Sequence, residues 1–159
     1  MAVSGQKMRD RNPTFSTKIE LAGSKVYYRI EDRWVNFHVD QIQLIGEFSA
    51  PPGLLPDDYF FTFKLREGGG TIDVPSYTDG LFEALAGLKR LLPGLGNPVL
   101  QMETDFNSNV LYPAHVVGHK LFSFKQESSP VFDFPLMRNL ARKQVVVKEI
   151  LPEVMELVY

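Results

Sequence analysis

The sequence predicts an α+β fold: a strongly twisted antiparallel meander sheet or partial barrel of about seven strands, packed by one central amphipathic helix and by C-terminal helical material. Three observations lead there. Strand patterns follow one another from Lys25 to Pro75, joined by connections shorter than the roughly dozen residues that a parallel crossover needs. A leucine stripe at helical spacing follows over Asp79–Leu92. Beyond Gly94, strand and helix signals mix.

Thr17–Leu21 is a candidate edge strand, turned by Ala22-Gly23-Ser24. Lys25–Ile30 is rich in β-branched and aromatic residues, and Glu31-Asp32 turns it into Arg33–Val39. There Val35, Phe37 and Val39 alternate with Trp34, Asn36 and His38, the period of a strand with one covered face. Gln41–Ser49 alternates again until Gly46, and a glycine inside a strand signals a bulge or a bend. Ala50–Asp58 holds three prolines and a glycine, which a central strand does not tolerate. Tyr59–Glu67 opens apolar on both faces, as a strand covered on both sides would. The Gly68-Gly69-Gly70 run makes a hairpin loop into Thr71–Pro75.

Ser76 and Asp79 stand at capping-box spacing ahead of the helix Asp79–Leu92. Leu81, Leu85, Leu88 and Leu92 share one face, widened by Phe82 and Leu91, and Pro93-Gly94 stops the helix. Val99–Phe106 and Lys120–Lys125 read as further strands. From Phe134 two readings stand: one long bent helix, or helix–strand–helix with a strand at Val145–Val147 and a break at Pro152.

The length suits one domain over 14–159, with a sheet-plus-helix core at 25–92, an extension at 95–159, and Met1–Pro13 as a flexible tail. A net charge of −2 and a pI of about 5.9 point away from a nucleic-acid partner. The absence of cysteine excludes disulfides, thiolate catalysis and cysteine-ligated zinc. No apolar run reaches bilayer length, and Met1–Lys7 lacks the apolar core of a signal peptide, so the expected location is cytoplasmic with no membrane span.

Catalytic chemistry finds little to stand on. His115 and His119 have metal-ligand spacing for a helix, but Pro113 and Gly118 argue for extended chain, so no metal is expected. The glycine run precedes a strand rather than a helix N-terminus, which rules against a phosphate loop. Asp57-Asp58 are neighbours whose side chains diverge, and Glu103 and Asp105 would share one face of a strand. No Gly-x-Ser-x-Gly elbow is present. No catalytic residue and no cofactor is expected. The interaction candidates are Leu54 and Leu55 in the proline-rich loop, Tyr28 and Trp34 on the sheet, and Met155, Leu157 and Tyr159 in the apolar terminus.

Three stretches carry a family resemblance: Asp40–Glu47, Tyr59–Leu65 and Gly70–Ser76, followed by the leucine helix. In this order the segment Val39–Leu92 resembles the later strands and helix of pleckstrin-homology-like domains. The resemblance implies a partly open barrel used for protein or lipid-surface recognition, without catalysis.

The leading functional expectation is a non-catalytic protein-binding module: an adaptor, an inhibitor or immunity-type protein, or a subunit of a larger assembly whose partner is another protein. The alternatives are a ligand-binding or enzymatic domain with a cavity inside the curled sheet, lined by Tyr28, Trp34, His38 or His115, and a homo-oligomeric structural protein.

Overall fold

The computed structural model describes residues 16–52, 58–68, 70–130 and 142–159. Among them the chain forms β1 (Thr17–Ala22), β2 (Lys25–Ile30), β3 (Arg33–His38), β4 (Ile42–Ser49), β5 (Tyr59–Leu65), β6 (Thr71–Pro75), α1 (Leu81–Leu91), β7 (Asn107–Tyr112), β8 (Phe122–Pro130), β9 (Arg142–Ile150) and α2 (Pro152–Val158). Short 3-10 helices at Val39–Gln41 and Ala114–Val116 follow β3 and β7. The fold is α+β, as expected, with nine strands among the described residues rather than about seven. The expected edge strand at Thr17–Leu21 is β1.

The strands form three antiparallel sheets, ordered β1-β2-β3, β6-β5-β4-β7 and β8-β9, and none closes into a barrel. The meander is therefore broken once, between β3 and β4. At that point Val39 N–H donates to the Ser24 carbonyl (2.8 Å), and the Gln41 side chain accepts from His38 N–H (2.8 Å). The 3-10 turn uses up these groups and sends β4 into a second sheet.

The central sheet is covered on both faces. Ile45 on β4 and Tyr59, Phe61 and Phe63 on β5 pack with Val26, Tyr28, Phe37, Leu81 and Leu88 in one cluster. Leu44, Phe48 and Phe60 pack on the other side with Phe122, Leu121 and Val154 in a second. All eight residues of β4 are buried, which a strand of the middle layer requires. A register shift between Ile42 and Leu44 puts Ile42 and Ile45 in the same cluster, although a regular strand would point them to opposite faces. Gly46 serves close approach: a Cβ there would collide with the Leu121 side chain arriving from the hairpin layer.

Helix α1 begins two residues later than its leucine pattern implied, and no capping box forms. Gly80 holds the N-cap position with φ 80°, and a side chain there would meet the Ile19 carbonyl. The backbone of Asp79 is committed to β1 instead: Ile19 N–H donates to its carbonyl (2.9 Å), and its own N–H donates to Thr17 (3.2 Å). The buried stripe is Leu81, Ala84 and Leu88, with Gly87 against Leu21. Phe82 and Leu91 stay exposed, contrary to their expected place in the stripe.

Val99–Phe106 is loop rather than strand, because its backbone turns to serve a buried side chain on β4, and β7 starts only at Asn107. Val145–Val147 lies within β9, in agreement with the helix–strand–helix reading, and Pro152 opens α2 instead of kinking a helix. Any helix from Phe134 lies outside the described residues, as do Leu54 and Leu55.

Gly46→Ala should lower the unfolding free energy by about 1–3 kcal/mol in urea titration, and should cost less than that when Leu121 is already alanine, since both act on one contact.

Candidate functional site

The most unusual interior group is Glu47, which is fully buried in the middle of β4. Four donors converge on its carboxylate: Tyr59 Oη–H (2.5 Å), Val99 N–H (2.8 Å), Asn109 Nδ2–H (2.9 Å) and Leu100 N–H (3.3 Å). They come from β5, β7 and the loop after α1. Hydrogen-bond donors satisfy the charge here, and no cation pairs with it among the described residues. Burial, then the hydrogen bond and charge of Glu47, push the Tyr59 phenol well above its ordinary value of 10.0. With no solvent reaching the carboxylate, this centre is an internal brace rather than a place for a substrate.

A second polar link joins the layers. Lys148 on β9 meets both oxygens of Asp73 on β6 (2.9 and 3.1 Å) and lies over the rings of Phe122 (4.3 Å) and Phe48 (4.9 Å). Thr62 Oγ1 donates to the same carboxylate (2.8 Å). The ammonium thus clips the β8-β9 hairpin to the central sheet.

The histidines do not converge. His115 Nε2 lies 2.7 Å from the Leu157 carbonyl, the His119 carbonyl accepts from Val110 N–H, and His38 ends β3. No group of three metal-ligating side chains occurs among the described residues. Glu103 and Asp105 sit in a loop, where Glu103 accepts from Thr104 N–H and Asn107 and does not share a strand face with Asp105.

Tyr28 leaves the set of surface candidates. It is 2% exposed, part of the core beneath β2, with its hydroxyl 3.5 Å from the Asp73 carbonyl. Strand alternation explains this: Tyr28 shares a face with Val26, and Tyr27 and Arg29 share the other. Burial raises its phenol to about 12. Leu157 and Tyr159 are exposed at the end of α2, and Met155 is half-buried.

Trp34, by contrast, is 50% exposed and stands beside Arg29. Cross-strand pairing sets Lys18, Arg29 and Trp34 in one row, and Glu20, Tyr27 and Asn36 in the next. The Arg29 guanidinium lies 5.6 Å from the Trp34 ring and the Lys25 ammonium 5.5 Å from that of Tyr27. Arg29 Nε is buried and makes no hydrogen bond among the described residues. Val35 on the opposite face is also exposed, so the Arg33–Asn36 end of β3 protrudes beyond the core on both faces, while Phe37 stays buried. The hairpin offers a cationic, aromatic surface on a rigid strand pair.

Sequence reasoning missed two features. Glu47 was a lone charge in an apolar run, Leu44-Ile45-Gly46-Glu47-Phe48, which is the one signal that could have exposed it. The free margin of β3 left no signal beyond the Val39-Asp40 break.

Glu47→Gln places an amide donor against donors and should destabilise the fold by about 2–3 kcal/mol in urea unfolding, while Tyr59→Phe loses one charge-assisted bond, about 1.5–3 kcal/mol. A Glu47→Gln protein as stable as the wild type would remove the brace. Tyr28 and Tyr59 have folded-state values above the unfolded 10.0. Their contribution is therefore complete below pH 10.0 and is lost as pH rises beyond it. Absorbance titration at alkaline pH should show both phenols ionising together with unfolding, and Tyr28→Phe should reduce the alkaline loss.

No family model matches the chain, and no curated protein or solved structure matches it.

Proposed function

We propose that this chain is a non-catalytic protein-binding module that receives its partner on the β2–β3 hairpin. One observation carries the reading: Trp34 is half exposed on a strand whose opposite face, at Val35, is exposed as well, although the domain has a full core to bury both. Aromatic and arginine side chains held together on a rigid strand pair are the usual anchors of interfaces. Arg29 and Trp34 stack on one another before any partner arrives, which lowers the ordering cost of binding.

Two further features support it. The space between the sheets is filled by packed side chains. Two concavities among the described residues are open grooves at the β1–α1 and β6–β9 margins, ≈ 450 and ≈ 410 Å³. The resemblance of residues 39–92 to pleckstrin-homology-like domains points to the same use, a scaffold that presents surface. Among the described residues no helix is long and apolar enough to cross a membrane.

Immobilised wild-type chain and a Trp34→Ala variant, exposed to extract from the native source, test this by quantitative mass spectrometry. A partner retained by the wild type should fall by roughly 30-fold on the variant, the effect of losing an anchor worth about 2 kcal/mol. Identical protein sets on both would sink the proposal. Half exposure of Trp34 makes the variant a fair test of binding, since the core is untouched.

A further inference from the structure

The backbone of β3 carries information that its side chains do not. Val39 N–H donates to the Ser24 carbonyl, which sets the phase of the β2–β3 ladder. With the register Val26↔Phe37, Tyr28↔Val35 and Ile30↔Arg33, those pairs exchange backbone bonds. Trp34, Asn36 and His38 must then turn their N–H and C=O groups away from β2. His38 confirms the phase, because its outward N–H is taken by Gln41 Oε1. The same alternation holds on β1, where the outward groups of Thr17 and Ile19 are taken by Asp79. At Trp34 and Asn36 no such partner occurs among the described residues: β3 is the last strand of its sheet.

An open strand margin invites pairing with another chain, and proteins commonly blunt it with proline, bulges or a covering element. β3 contains no proline and pairs with β2 in unbroken register. Its charges have one sign: β2 and β3 carry Lys25, Arg29 and Arg33 and no carboxylate, and the acids of this hairpin, Glu31 and Asp32, are confined to its turn. An added strand would send alternate side chains to two different surroundings. One face meets Trp34 and Asn36, with Arg29 and Lys25 behind them on β2 and Glu20, paired with Lys18 (2.8 Å), further back on β1; the other meets Val35 with Arg33 beside it.

We infer that β3 binds an extended segment of the partner protein as an additional strand, and that this segment alternates carboxylate and apolar side chains, its carboxylates facing Arg29 and Lys25 and its apolar residues covering Val35. The inference rests on the docking reading above and specifies its chemistry. Main-chain bonds to Trp34 and Asn36 supply affinity, and the two faces supply selectivity.

A short fluorescent peptide alternating glutamate and valine is the probe, read by anisotropy against the full chain, with its lysine–valine counterpart beside it. The acidic peptide should bind at least about tenfold more tightly than the basic one. Asn36→Pro removes an outward N–H and leaves the β2 ladder intact, a position where a sheet tolerates proline. It should weaken binding by about tenfold, and Asn36→Ala should not. If the proline variant fails to fold, the acidic peptide N-methylated at alternate residues tests the same bonds on the wild-type chain. Equal binding to wild type and Asn36→Pro, or to the methylated and plain peptides, would overturn strand addition. So would no binding by the acidic peptide while Trp34-dependent retention of a partner persists, an outcome that leaves the docking reading standing. Light scattering that shows a dimer dissolved by Asn36→Pro would give the margin to a second copy of this chain and overturn the acidic partner.

Discussion

The carboxylate of Glu47 holds the architecture together. Burying a charge of this size costs several kcal/mol unless donors replace the lost water. Four do so here, from β5, β7 and the Val99–Leu100 backbone. The donors are only useful in one arrangement, so the brace selects a strand order with β4 between β5 and β7. It also selects the path of the loop after α1. A segment with strand-like composition is pulled out of strand geometry because its N–H groups are needed at the carboxylate. Packing alone would tolerate several placements of that loop, whereas an unsatisfied buried charge would not.

With β4 and β5 committed to the middle layer, every other element has a face to cover. The β1–β3 sheet and α1 take one side, and the β8–β9 hairpin with α2 takes the other. Gly46 lets the hairpin layer approach, and Lys148 clips it to Asp73. Both are contacts between layers. Among the described residues nothing comparable restrains the Arg33–Asn36 end of β3, which is exposed on both faces.

The same break shapes the exposed surface of β3. The 3-10 turn at Val39–Gln41 ends one sheet and starts the next, and the last strand of the first sheet therefore has β2 on one side and no strand on the other among the described residues. A continuous meander would have hidden Trp34 and the outward backbone of β3 under β4. Breaking it leaves the Arg29–Trp34 pair at the margin of the first sheet, the surface on which the proposed docking rests.

Much of this was legible in the sequence. Strand positions from Lys25 to Pro75 and the body of α1 follow from local periodicity, because side-chain alternation and helical spacing are properties of neighbouring residues. The double coverage of Tyr59–Leu65 was legible for the same reason, from apolar residues on both faces. The fate of Glu47 was not, since its partners lie 12, 52, 53 and 62 residues away. Nor was the burial of Tyr28 against the exposure of Trp34: both are aromatic residues in adjacent strands, but they lie on opposite faces of the β1-β2-β3 sheet, and the core covers only the face that carries Tyr28. Local order is written in the chain at short range. Which faces are covered, which charge is braced and which strand margin stays open depend on contacts between distant segments, and these exist only once the layers have assembled.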